Sequence, residues 1–164
     1  MRLQLQGETL DLDPSGAVFL PCWAMLVVAD LHLEKGSSFA ARGVLLISDE
    51  VICSWGRLGT WFGAQRFDYQ PDIITTAKGL TSSYASMGAM ITSDRVIEPF
   101  LEGSTSFVHG FTFGGHPMAA AVALANIAAF EEEGILEHVN ENEHHLRAML
   151  ESLRDIPIVG DVRG

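Results

Sequence analysis

The sequence predicts an α/β fold, and three observations carry that prediction. Two short runs, residues 45–51 and 71–79, are rich in aliphatic and β-branched side chains; the first ends in Asp49-Glu50-Val51 and the second in Lys78-Gly79. Runs of that length and composition read as buried strands. Downstream, residues 117–133 and 135–153 have the length and punctuation of helices. In an open α/β sheet, charge at the carboxyl ends of strands marks the edge where ligands bind.

In chain order, residues 3–5, 9–12 and 17–20 group apolar side chains around Gly7 and Pro14-Ser15-Gly16. This is the pattern of short antiparallel strands joined by tight turns. Residues 24–29 follow as a fully buried strand ending in Asp30-Leu31-His32, and Gly36-Ser37-Ser38 leads into a short helix over 39–42. After the strands at 45–51 and 71–76, residues 81–86 are a polar loop and 87–92 a further strand. Asp94 is placed to cap a helix over 95–101 that stops at Gly103. Residues 104–115 are polar, aromatic and glycine-rich, and read as an active-site loop. Pro117 suits the first position of the next helix and Gly134 its end. The Ala-rich face of that helix is expected to pack against a sheet. Leu136, Val139, Leu146, Leu150 and Leu153 share one face of the last helix.

A chain of 164 residues suits one domain, able to bury about two-thirds of its unfolded surface. The apolar content of 48% and charged content of 19% argue against disorder. Of the net charge of −11, residues 1–44 hold −2 (three cations against five acids), which leaves −9 for the rest. Such a surface repels phosphate backbones and anionic bilayers, so no nucleic acid and no membrane is expected as partner. Cys22 and Cys53 are too few for a disulfide framework and lack metal-type spacing, which fits reduced thiols and a cytoplasmic location. The first ten residues lack the basic and apolar regions of a signal peptide. The longest apolar stretch, near 119–129, is too short to cross a bilayer.

An aspartate and a lysine brought to one sheet edge suggest a cofactor that needs both, and pyridoxal 5'-phosphate is such a cofactor. Asp49-Glu50-Val51, Gly56-Arg57, Trp61-Phe62-Gly63, the 71–80 run and His109-Gly110-Phe111-Thr112-Phe113-Gly114-Gly115-His116-Pro117 resemble the class III aminotransferases, the omega-transaminase group. The resemblance covers residues 45–164. It implies part of the large domain of the type I fold of pyridoxal-phosphate-dependent transferases. It also implies transfer of an amino group from an amine or ω-amino acid to a keto acid. By the same resemblance Lys78 forms the Schiff base with the cofactor aldehyde and then serves as general base. Asp49 keeps the pyridine nitrogen protonated, and Val51 packs on the ring. Thr112 reaches the phosphate in a neighbouring subunit, so a homodimer is implied. Glu50 and His116 read as structural.

Taken without the resemblance, Lys78 suits a solvated lysine after a strand, Asp49 a cap or turn residue, Val51 core and Thr112 a solvated loop position. His109, His138, His144 and His145 form no convincing metal set. Ser54 and Ser83 stand where the family pattern usually has glycine. If those positions need a positive φ, serine costs about 1 kcal/mol there. Leu58 and Ser86 are further departures. The phosphate loop and ring-stacking aromatic of the family's first half are absent, so a cofactor held by Lys78, Asp49 and Thr112 alone is expected to bind weakly.

The opening section resembles a second family. Val28-Ala29-Asp30-Leu31-His32-Leu33-Glu34-Lys35-Gly36, with Phe39 and Arg42-Gly43, is similar to the calcineurin-like metallophosphoesterases of the ligase-associated bacterial type. That likeness implies a metal role for Asp30 and His32 at a strand end. The family's later Gly-Asn-His element is absent, and two ligands do not close a coordination shell. The reading is therefore a β-rich metallophosphoesterase-like fragment over 1–44 and an aminotransferase-like fragment over 45–164. They meet near Val44–Leu46 without a linker, which leaves a phosphoesterase remnant or a non-catalytic chimera as alternatives.

Overall fold

The computed structural model describes residues 1–5, 8–12, 18–23, 25–29, 43–103 and 106–162. Among the described residues seven strands make one sheet in sequence order: β1 (Arg2–Leu5), β2 (Glu8–Leu12), β3 (Val18–Leu20), β4 (Met25–Ala29), β5 (Leu45–Asp49), β6 (Ile73–Thr76) and β7 (Ala89–Thr92). The first four run antiparallel, as the turn-rich opening predicts. β4, β5 and β6 are parallel, and β7 closes the order antiparallel to β6. The join near Val44–Leu46 falls between β4 and β5, which pair from Met25↔Leu45 to Ala29↔Asp49. The sheet therefore continues across it.

The expected full burial of the central strands is not observed. Along β5, Leu46 and Ser48 are buried while Leu45, Ile47 and Asp49 are half-buried. In β6 only Thr76 is buried, and Met25 and Val27 of β4 are half-buried. The reason is the placement of the helices. Beyond the short α1 (Gly63–Arg66) and α2 (Asp94–Glu102), the long helices are α3 (Pro117–Glu132) and α4 (Ile135–Ser152). α3 packs chiefly on the 3₁₀ turn Lys78–Thr81 and on α4, not across the strands as its Ala-rich face suggested. The sheet keeps a poorly covered face, and the chain exposes 11590 Å². A compact monomer of 17.8 kDa exposes about 8,000 Å².

Local chemistry accounts for the element ends. Pro117 occupies the first turn of α3, where its missing N–H costs nothing, and Ala119 and Ala123, one turn apart, are its buried residues. Gly134, with φ of +61°, turns the chain from α3 into α4. At α2 the cap position belongs to Ser93, whose carbonyl accepts from Val96 N–H and Ile97 N–H, and Asp94 is already helical. None of the leucine face of α4 is fully buried. The end of the 67–72 connection is pinned to β5. Asp72 Oδ2 accepts from Leu46 N–H at 2.9 Å, Asp72 N–H donates to the Leu46 carbonyl, and the Arg95 guanidinium sits 3.2 Å from Asp72 Oδ1. The helix expected over 39–42 lies outside the described residues.

Candidate active site

Parallel pairing of β5 and β6 sets Asp49 level with Thr75, and Glu50 N–H extends the ladder to the Thr75 carbonyl at 2.8 Å. Asp49 thus closes β5, and Lys78 follows β6 by two residues, both at the carboxyl edge that the sequence predicts. Asp49 is half-buried; its Oδ1 accepts from Val51 N–H at 3.1 Å, a short bond that turns the chain out of the strand. Lys78 is exposed and has no ion-pair partner among the described residues. It adopts φ of +39°, a left-handed conformation that a lysine enters only at a cost of about 1–2 kcal/mol. Strain of this kind is characteristic of functional positions over-determined by their surroundings.

Those surroundings begin with Gly79. A methyl group there would lie 2.8 Å from Trp55 Cβ, so only glycine lets the lysine turn meet the 51–62 loop. That loop is fastened by Glu50, 1% exposed, whose carboxylate accepts from Gly63 N–H at 2.6 Å and Ala64 N–H at 2.9 Å. The structural role read for Glu50 is thereby given a form. A second buried set was not foreseen: Ser54 Oγ meets the Glu50 carbonyl at 2.6 Å and Thr76 Oγ1 at 2.5 Å, and Trp55 Nε1 donates to Thr76 Oγ1 at 2.7 Å. The signal was present in Ser54, a departure from the family pattern that suggested strain and instead supplies a hydroxyl. Ser54 is not among the residues with positive φ, whereas Ser83 is, at +64°.

Between the loop, the lysine turn and the two long helices lies an open cavity of about 490 Å³, walled by Val51, Trp55, Lys78, Gly79, Phe130 and Val139 among others. Its size falls in the range of small-molecule sites, about 300–1,000 Å³. Val51 and Lys78 both line it; Asp49 and Thr112 do not. Thr112 stands on the exposed 106–115 segment. Asp30 and His32 lie outside the described residues, and among those described no group of three or more His, Cys, Asp or Glu is placed to hold a metal. Nearby, burial pushes the Tyr69 hydroxyl above its ordinary 10.0, with the Glu50 and Cys53 charges adding and the 2.7 Å bond to Ser48 Oγ opposing.

Comparison with known proteins gives the family. The model of the family described as aminotransferase class-III matches residues 26–164. The chain belongs to the class III aminotransferases. It is 60% identical over 121 residues to "Probable aminotransferase Rv3329" of Mycobacterium tuberculosis, covering 74% of this chain and 26% of that protein. To the putrescine–pyruvate aminotransferase of Pseudomonas aeruginosa it is 48% identical over 142 residues, 85% of this chain and 31% of that one. Among solved structures, an (S)-enantioselective omega-transaminase from Thermomicrobium roseum superposes with a TM-score of 0.73 at 43% identity, over 77% of this chain and 28% of the other. The chain thus spans about a quarter to a third of the length of the curated relatives it matches.

Class III aminotransferases are pyridoxal 5'-phosphate-dependent. The residues present fit that group in part: a strained lysine opens on a cavity that Val51 also lines, and a carboxylate ends the neighbouring parallel strand. Among the described residues no helix is long and apolar enough to cross a membrane.

Proposed function

We propose that this class III aminotransferase chain forms the central part of the large domain of a pyridoxal-phosphate-dependent enzyme. That enzyme moves an amino group from an amine or ω-amino acid to a keto acid. The observation that carries the reading is the β5–β6 register, which delivers Asp49 and Lys78 to the same edge from adjacent parallel strands. When bound, pyridoxal phosphate supplies an electron sink for negative charge on carbon. Lys78 would hold the cofactor through its ε-amine and then carry the proton taken from the substrate carbon. Asp49 would keep the ring nitrogen protonated through its carboxylate, and Val51 would cover one face of the ring.

Relatives named for putrescine, pyruvate and gamma-aminobutyrate support a small amine donor and a keto-acid acceptor. A cytoplasmic homodimer completes the proposal, with Thr112 on the exposed 106–115 segment directed to the phosphate of a second copy. The excess exposed area leaves room for such a partner. Addition of pyridoxal phosphate to the chain is expected to produce a visible absorption band that Lys78→Ala abolishes. Absence of the band in the unaltered chain, or its persistence in the variant, would refute the assignment.

For residues 1–44 we propose a metallophosphoesterase-like remnant and not a working metal centre, since Asp30 and His32 supply two ligands where a site needs more. Manganese is expected to stimulate no cleavage of an aryl phosphodiester. Activity that His32→Ala removed would overturn this.

A further inference from the structure

We propose that Ser54, Trp55 and Thr76 form a directional hydrogen-bond relay that positions Lys78 relative to Asp49; the proposal rests on the roles assigned above to those two residues. The direction follows from donor accounting. A carbonyl only accepts, so Ser54 Oγ–H must donate to the Glu50 carbonyl at 2.6 Å. A serine has one hydroxyl hydrogen, so Thr76 Oγ1–H must donate to Ser54 Oγ. An indole nitrogen only donates, so Trp55 Nε1–H ends on Thr76 Oγ1. The chain reads Trp55 to Thr76 to Ser54 to Glu50, with every hydrogen used, and linked bonds of this kind polarise one another.

Its placement makes it more than a local brace. Ser54 is 4% and Thr76 2% exposed, so water does not substitute for a missing link. One end lies at the residue after Asp49 and the middle at the residue two before Lys78. Trp55 itself has φ of +58° and presses on Gly79, the residue after Lys78. Its ring is held edge-on by Trp61 and Phe62, with centroids 6.2 and 5.4 Å away. The lysine turn is therefore gripped from both sides by one network, which accounts for a left-handed lysine persisting there. The two sides are Thr76 in its strand and Trp55 over its glycine.

The test uses Thr76→Val, which keeps the shape and deletes the two links made by the threonine hydroxyl, against Thr76→Ser, which keeps the hydroxyl. Amide hydrogen exchange of residues 78–82 is measured first in the cofactor-free chain. Roughly tenfold faster exchange is expected in Thr76→Val, with Thr76→Ser close to the unaltered chain. Pyridoxal phosphate is then added, trapped with borohydride and mapped by peptide. The chain has only two lysines, Lys35 and Lys78, so the map is unambiguous. The fraction trapped at Lys78 should fall at least about fivefold in Thr76→Val, with Lys35 as the internal control.

Unchanged exchange in Thr76→Val would overturn the relay, as would faster exchange with undiminished trapping at Lys78, which would leave it a purely structural brace. If the unaltered chain traps nothing at Lys78, the proposed function fails, and the exchange comparison alone decides whether the relay fixes the turn. Should Thr76→Val not fold, Ser54→Ala removes the two links made by the serine hydroxyl, leaves the Trp55–Thr76 bond, and carries the same comparison.

Discussion

Glu50→Gln is the substitution whose cost is set most directly by the structure. The side chain is 1% exposed and its two oxygens accept from Gly63 N–H at 2.6 Å and Ala64 N–H at 2.9 Å. Glutamine preserves the volume but offers one oxygen and one NH₂. One of the two backbone N–H groups must then face another donor, buried and without a partner. A hydrogen bond to a charged group contributes about 1.5–3 kcal/mol, and an orphaned buried donor costs about 1–3 kcal/mol, with partial overlap between the two. The expected loss is about 2–4 kcal/mol. With a urea slope of about 2 kcal/mol/M, the midpoint should fall by about 1–2 M. The assay is urea unfolding followed by circular dichroism and by tryptophan fluorescence, since Trp55 and Trp61 lie in the loop that Glu50 fastens. Glu50→Ala, which orphans both N–H groups, should lose more than Glu50→Gln. A Glu50→Gln chain within about 0.5 kcal/mol of the parent, the range of an ordinary surface change, would refute the idea that this carboxylate holds the loop.

Three further outcomes follow from the same geometry. Gly79→Ala puts a methyl 2.8 Å from Trp55 Cβ and should cost about 1–3 kcal/mol by overpacking, with loss of the cofactor band; both are read by unfolding and absorbance. Ser83→Gly relieves a serine at φ of +64° and should gain about 1 kcal/mol, raising Tm by about 2–4 °C in a thermal scan. Tyr69→Phe removes the 2.7 Å bond to Ser48 and should cost about 1 kcal/mol at neutral pH. Because burial raises the Tyr69 value, the folded chain holds that proton where the unfolded chain has released it. The stability this contributes is present below the ordinary 10.0 and is lost as pH rises through the raised folded value. The gap between parent and Tyr69→Phe should accordingly narrow above pH 10.0 in urea midpoints taken across the alkaline range.

Much of the architecture was legible one residue at a time. The β-branched runs around Ile47 and Ile74, Pro117 at a helix start and Gly134 at its end are local signals, and local sterics suffice to act on them. The charges at the ends of 45–51 and 71–79 likewise announced a carboxyl edge with a lysine and an aspartate on it, and the flanking motifs named a family. What the sequence could not reveal is which distant groups meet. Ser54 read as a costly stand-in for glycine, yet its backbone is unstrained and its hydroxyl completes a network with Thr76, 22 residues away. Glu50 read as structural, but its two backbone partners come from residues 63 and 64. Burial was misjudged because apolar runs state what a strand is suited to, while coverage depends on where helices settle. Here α3 settled on the lysine turn and left β5 and β6 half open. By itself the sequence determined strand, helix and turn identity and the presence of Lys78 and Asp49. Only the tertiary structure decided register, the relay and the strained lysine turn, because hydrogen bonds and close contacts between residues far apart in sequence exist only after the sheet has formed.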